Sequence, residues 1–333
     1  MRLGLTRVLS ILVLLGGAAA AVLWVDYRTH MHGSLAVEEA QRLVVAPGSS
    51  VQRVARQLHA MGALERPRYF VAAARLGDKA HRLQAGEYAL EPGLSPAQLL
   101  QRMVDGRVVL YPFTIVEGWH FGQLMQAIRN QEFLEQTLPH DAEAIMAALG
   151  AAGEHPEGRF LPDTYLAPRG TSDLDLLRRA FRAMEVYLEE QWAQRSAGLP
   201  IDTPYQALIL ASIIERETGQ VHERHKVAGV FTRRLQLNMR LQTDPTVIYG
   251  LGDDYTGRLR RRDLDTDTPY NTYTRHGLPP TPIAMPGRAA IHAALHPEEG
   301  EYLYFVSRGD RSHHFSATLQ EHNRAVRKYI LGR

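Results

Sequence analysis

The spacing of apolar positions changes several times along this chain, and each change predicts a different kind of element. From Val8 to Val25 the residues are apolar apart from Ser10, a run about long enough to cross a hydrocarbon core as one helix. Arg2 and Arg7 precede it, and Trp24 and Tyr27 sit where interfacial aromatics belong. That asymmetry predicts a single pass with residues 1–7 in the cytoplasm and everything after the anchor on the far side. Ala18 to Ala21 offer the alternative of a signal-peptide cleavage site. The run continues through Val22, Leu23, Trp24 and Val25, which favours an uncleaved anchor at 8–25. Residues 26–41 are mostly polar or short-sided and predict a tether.

Between 42 and 107 the apolar residues fall into short helical stripes divided by turns. Pro47-Gly48-Ser49-Ser50 leads into Val51, Val54, Ala55 and Leu58, and Pro92-Gly93-Leu94-Ser95-Pro96 leads into Leu99, Leu100 and Met103. Each reads as a turn, a serine N-cap and an amphipathic helix. A further helix at Arg68–Leu76 and short strands near Arg42–Val45 and Ala85–Leu90 complete a small α+β module. Its pattern resembles a LysM-like, glycan-binding unit, and a structural spacer is the alternative.

In the remainder, 108–333, helical and strand-like patterns mix. Val108–Val116 predicts a strand, Phe121–Ile128 a helix, 130–150 further helix, Leu174–Ala197 a long helix, Val227–Leu235 a helix and Tyr302–Ser307 a strand. Trp119 beside a turn, and the loop Glu157–Tyr165, dense in aromatic and acidic side chains, are candidates for stacking on or bonding to sugar rings, with core packing as the alternative. The most apolar helix is Ala207–Thr218. Leu210, Ile213 and Ile214 mark one face, and continuing that face reaches Glu217. A carboxylic acid at the end of an apolar helix tends to be desolvated and to hold its proton near neutral pH, as a general acid requires. Glu215 and Glu217 are also readable as solvated charges where the helix surfaces. Downstream, Gln242-Thr243-Asp244 is a polar cluster between apolar residues, and Thr268–Thr274 groups amide, hydroxyl and aromatic side chains.

Composition narrows the chemistry. With 333 residues, 45% apolar and 22% charged, the chain has material for a folded core, and a formal charge of +2 with no basic block excludes nucleic acid as a partner. The absence of cysteine removes disulfides and thiol chemistry. Fifteen histidines raise the question of a metal. His222 and His225 lack the spacing for two ligands with a general base, and His313 and His314 are adjacent strand residues that face opposite ways. No metal and no cofactor is expected. Two carboxylates flanking a bond would suggest an ordinary glycosidase. Glu215, two residues from Glu217, points across the helix and is a poor mate for it, which leaves a one-carboxylate mechanism.

In order along the chain, Ala211–Thr218, Leu241-Gln242-Thr243-Asp244-Pro245-Thr246, Tyr270-Asn271-Thr272-Tyr273, Gly277-Leu278-Pro279-Pro280 and His322-Asn323 resemble the endolytic murein transglycosylase (YceG-like) family. Pro162-Asp163-Thr164 and the LysM-like module extend the match upstream. Thr281 and Met285 depart from the glycine and the small or polar residue expected in that loop. The resemblance implies an α+β protein: an N-terminal transmembrane helix, a LysM-like module at 42–107, and a mixed α/β catalytic domain at 108–333 with a lysozyme-like catalytic helix. It implies a lytic transglycosylase anchored in the inner membrane with its catalytic domain in the periplasm. Its substrate would be peptidoglycan glycan strands, cut near the synthases that make them. The β-1,4 bond after N-acetylmuramic acid would break without water, the muramyl 6-hydroxyl closing a 1,6-anhydro ring. By the same resemblance Glu217 is the single acid and then the base that accepts the hydroxyl proton, with Glu215 the alternative, and Asp244, Thr243, Tyr249, Asn271 and Tyr273 are supporting residues for substrate or for Glu217. A non-catalytic glycan-binding scaffold and a hydrolase using water are the competing functions.

Overall fold

The apolar run and the residues around it form one helix, α1 (Arg2–His32). Every side chain from Ser10 to Val25 is exposed around its full circumference, the property of a helix that suits lipid and not water. The segment Ser10–His32 is long and apolar enough to cross a membrane, with a mean hydropathy of 1.8. The computed structural model describes residues 2–332, with side chains from Ser10 onward. Arg2 and Arg7, on which the expected cytoplasmic tail rests, have side chains outside those described.

The chain divides into two units, residues 1–111 with 167–170, and residues 112–166 with 171–333. In the first, β1 (Gln41–Val45) is followed by α2 (Val51–Ala60), α3 (Pro67–Leu76), β2 (Gly86–Leu90) and α4 (Pro96–Asp105). β1 and β2 pair antiparallel with Leu43 opposite Tyr88. Ser50 caps α2 by accepting from the Arg53 N–H. Ser95 and Gln98 form a reciprocal capping box on α4, with Pro96 at the first helical position and left-handed Gly106 ending it. Leu43, Leu58, Phe70, Tyr88, Leu99 and Met103 make the core. The stretch at 26–41 is packed and not free. Asp26 accepts from the Tyr69 hydroxyl and from Arg66, and Met31, Leu35 and Val37 join the same core. Burial makes short-sided residues here part of a fold, because the larger apolar side chains Met31, Leu35 and Val37 face inward.

The second unit is built around α8 (Pro204–Glu217). It follows β3 (Leu110–Thr114), α5 (Phe121–Arg129), β4 (Leu134–Glu135), α6 (Ala142–Leu149), β5 (Thr164–Pro168), β6 (Thr171–Ser172) and α7 (Asp173–Ala193). The helix expected across 130–150 is confined to α6, because β4 pairs with β6 in parallel. After α8 come α9 (Arg224–Gln236), α10 (Asp244–Leu251), α11 (Arg261–Asp265), α12 (Arg288–Leu295), β7 (Tyr304–Ser307), β8 (His313–Ser316) and α13 (Leu319–Tyr329). All described strands lie in two-stranded sheets.

Thr203 caps α8 by accepting from the Gln206 N–H, and Pro204 occupies its first turn. Ala207 to Ile214 are all buried, so the helix is covered all round and not on one face as its periodicity suggests. The reason is that α7, α9, α10 and α12 all pack on it. Ser212 tolerates full burial because its hydroxyl donates to Ile209 O at 2.7 Å and accepts the Ile283 N–H at 3.0 Å. That bond fastens the loop before α12 to the central helix. Thr281 and Met285 fit this loop without strain on its course. The Thr281 hydroxyl bonds Tyr270 Oη at 2.9 Å, and Met285 is fully buried, its N–H donating to Trp119 O.

Candidate active site

Glu217 is the last residue of α8. The Thr218 N–H still reaches Ile214 O at 3.2 Å, but Thr218 itself is extended, with φ −136°, and the chain turns away there. The carboxylate is held by a neighbouring segment. Gln242 adopts a left-handed conformation, φ 52°, and its N–H donates to Thr272 O at 3.1 Å while the Thr243 N–H donates to Thr272 Oγ1 at 3.1 Å. This tight turn aims the Thr243 hydroxyl at Glu217, donating to Oε2 at 2.5 Å. Burial raises the Glu217 pKa above the usual carboxylate range. The Thr243 hydrogen bond and the charges of His313 and Arg234 act against that rise, and Asp244 adds to it.

Around this pair the polar cluster is ordered. Tyr273 donates its hydroxyl to Asp244 Oδ1 at 2.6 Å. Asn271 is buried and spends its amide on backbone, donating to Leu264 O at 3.0 Å and Thr266 O at 2.7 Å and accepting the Tyr273 N–H at 2.8 Å. Its contact with the site is therefore through Tyr273. Arg234, also buried, donates to Leu303 O, Arg240 O and Leu241 O, fixing the chain just ahead of Gln242. Glu217 opens on a cavity of about 370 Å³ that it shares with Thr218, Gly219, Gln220, Ser307, Arg311 and His313.

Glu215, two residues earlier on α8, is in a different environment. Its side chain is 6% exposed, and Oε1 lies 2.9 Å from Arg224, itself 6% exposed. Oε2 accepts the Gly287 N–H at 2.9 Å, at the start of α12. Burial raises its pKa, while Gly287 and Arg224 lower it. Both oxygens are thus committed to holding α8 against α9 and α12.

Tyr249 lies apart from Glu217. Its hydroxyl donates to Glu157 Oε2 at 3.1 Å, and both residues line a larger cavity of about 1080 Å³ with Phe121, Arg216, Ile248 and Tyr255 among its walls. Both Glu157 oxygens also accept the Phe121 N–H, so the acid caps α5. Burial pushes the Glu157 pKa up to about 7 against these hydrogen bonds.

Sequence reasoning did not single out Glu223, Arg234 or Arg224, and weighed His313 only as a metal ligand. The opposition of adjacent strand residues was the available signal for one of them. His313 turns to Glu223, and His314 turns away to the Tyr329 ring. Among the described residues no group of three or more His, Asp or Glu side chains is arranged to hold a metal ion.

A carboxylic acid with a raised pKa beside a cavity, on a mixed α/β unit, is an arrangement suited to general-acid chemistry. The chain belongs to the YceG-like family, whose model matches residues 43–328. It is 33% identical over 266 residues to a Bacillus subtilis protein named endolytic murein transglycosylase, covering 74% of this chain and 73% of that one. A Streptococcus pneumoniae D39 protein of the same name is 26% identical over 321 residues, covering 86% of this chain and 58% of its own length. A crystal structure of a YceG-like protein from Listeria monocytogenes matches with a TM-score of 0.56 and 29% identity, covering 86% of this chain and 99% of that one.

Proposed function

We propose that this chain is a lytic transglycosylase of murein, held at the inner membrane by α1 with its second unit in the periplasm, and that Glu217 is its acid. The observation that carries the assignment is the contrast within one turn of α8. Glu215 has both oxygens tied to Arg224 and Gly287, whereas Glu217 has one hydroxyl partner, a raised pKa and an open cavity.

The chemistry follows from those properties. Neutral Glu217 gives its proton to the glycosidic oxygen as the bond from the muramyl anomeric carbon breaks. The Thr243 hydroxyl hydrogen-bonds the carboxylate this leaves, keeping it in place. The muramyl C6 hydroxyl then attacks the same carbon, its proton returns to Glu217, and a 1,6-anhydro end is formed. An internal nucleophile at high effective concentration takes the place of a second carboxylate and water. Thr243 positions the acid, Tyr273 orders Asp244, and Asn271 orders Tyr273. Tyr249, with Glu157, belongs to the larger cavity, where aromatic walls and polar groups suit a more distant part of a glycan strand. The strand–helix–helix–strand order of the first unit supports a LysM-like role in holding the same polymer, near the synthases that extend it.

The test is incubation with purified peptidoglycan and mass spectrometry of the products. Ends lighter than a reducing end by one water are expected, and Glu217→Gln is expected to lower their rate by about 100-fold or more. Reducing ends alone indicate a hydrolase, no cleavage a glycan-binding scaffold, and full activity of Glu217→Gln removes Glu217 as the acid.

A further inference from the structure

One side chain on the cavity wall is held in a way that packing alone does not require. His313 lies on β8, opposite Ser307 of β7, and is gripped twice by Glu223. Its backbone N–H donates to Glu223 Oε1 at 2.9 Å, and its ring Nδ1 lies 2.7 Å from Glu223 Oε2. The two side chains are 12% and 6% exposed. Burial raises the Glu223 pKa, but the hydrogen bonds from His313 outweigh it and hold the group below its ordinary value. Glu223 is therefore a carboxylate, and a carboxylate only accepts. Against a carboxylate, the neutral form of the ring carries its proton on Nδ1 and its lone pair on Nε2.

The ring is also fixed in orientation. Phe305 meets it edge-on with centroids 5.3 Å apart, and Phe315 does so at 6.4 Å. With Nδ1 committed to Glu223, Nε2 is the nitrogen left for a ligand in the cavity that His313 and Glu217 both line. An imidazole oriented by a buried carboxylate is the arrangement that activates a hydroxyl nucleophile in other enzymes. The cavity thus holds a proton donor, Glu217, and a proton acceptor, His313, on different elements.

We propose that His313, oriented by Glu223, is the group that takes the proton from the attacking C6 hydroxyl. This rests on the transglycosylase reading above and refines its second half: the O6 proton reaches Glu217 by way of His313 and not directly. As the bond from the anomeric carbon to the leaving oxygen breaks, the proton of Glu217 moves to that oxygen. As the bond from O6 to the anomeric carbon forms, the O6 proton moves to Nε2. The resulting imidazolium is neutralised by Glu223, and once the product leaves, its Nε2 proton returns across the cavity to Glu217. No proton is gained or lost over the cycle. By binding the C6 hydroxyl, His313 also decides that this group and not water reaches the anomeric carbon.

The test reads both rate and product partition on the full chain with purified peptidoglycan. His313→Ala is expected to slow formation of anhydro ends by about 100-fold and to raise the share of water-derived reducing ends. Glu217 still protonates the leaving oxygen in this variant, so slow cleavage by water persists. His313→Gln retains an amide donor for Glu223 but no base, and is expected to behave alike; it serves if the alanine variant fails to fold. Glu223→Gln is expected to show the same shift in partition with a smaller loss of rate. Unchanged partition in both His313 variants, whether the rate falls or not, overturns the proposal, because a merely structural histidine lowers both products together. Absence of anhydro ends from the unaltered chain, or full activity of Glu217→Gln, instead overturns the transglycosylase reading itself.

Discussion

At the scale of single residues, environment separates carboxylic acids that share a chemical identity. Glu87 is buried, yet hydrogen bonds from Tyr111, Arg42 and Arg169 overcome the effect of burial and keep its pKa low. Glu157 has amide and hydroxyl donors but no cation, and its pKa rises to about 7 from an ordinary value of 4.5. A proton is therefore bound more tightly in the folded state, and between those values the unfolded chain binds fewer protons than the folded one. The stability this contributes is complete below pH 4.5 and is lost as pH rises through about 7. The span corresponds to about 3 kcal/mol. Urea unfolding at several pH values is expected to show this decline in the unaltered protein and a flatter profile in Glu157→Gln. None of these environments was legible from residue type. The raised acid at Glu217 was foreseen from its apolar helix, but the neighbours that tune it, Thr243 and His313, come from distant segments.

At the scale of elements, α8 organises the second unit because other helices cover it on every side. The apolar run and the cap at Thr203 were readable in the sequence. The all-round burial was not, since a helix of this composition can be half-exposed or fully enclosed. What enclosed it also decided the role of Glu215. Arg224 arrives from the start of α9 and Gly287 from the start of α12, closing a buried ion pair between three helices. Removing one partner of such a pair strands a charge in a poorly solvated place. Arg224→Ala is expected to lower stability by about 3 kcal/mol in denaturant titrations. Glu215→Gln is expected to cost less, since it leaves no stranded carboxylate and Arg224 keeps Glu117 nearby at 3.5 Å. It is also expected to retain activity per folded molecule, unlike Glu217→Gln. The polar loop at 268–274 likewise has a structural member. Residue type made Asn271 a candidate for substrate, and its amide is used on loop backbone.

At the scale of the whole molecule, α1 exposes a continuous apolar run, whereas exposed apolar side chains such as Val44, Leu76 and Leu237 are scattered singly. The exposed run ends at Val25, and from Asp26 onward the helix is fastened to the first unit through Tyr69, Arg66 and the burial of Met31. If α1 spans a membrane as proposed, this fastening holds the rest of the first unit close to the bilayer. The full chain is expected to sediment with membranes and resist alkaline carbonate extraction. Deletion of residues 2–25 is expected to release it while leaving the fold of the second unit intact, as judged by activity on soluble glycan. Release of the full chain by carbonate overturns the anchor.

The sequence by itself determined the apolar run of α1, the helices with their serine, threonine and proline starts, and the family to which the chain belongs. These depend on the order and periodicity of residues along one segment, which is the information a sequence carries directly. Only the tertiary structure decided which of two glutamates on one helical turn is tied and which is open, that Tyr249 lines a different cavity from Glu217, and that a histidine on β8 faces Glu223 on the wall of the cavity that Glu217 lines. Those properties depend on which atoms arrive from segments far apart in the chain. Burial and charge act through space, so a carboxylate's proton is governed by neighbours that its own stretch of sequence does not contain.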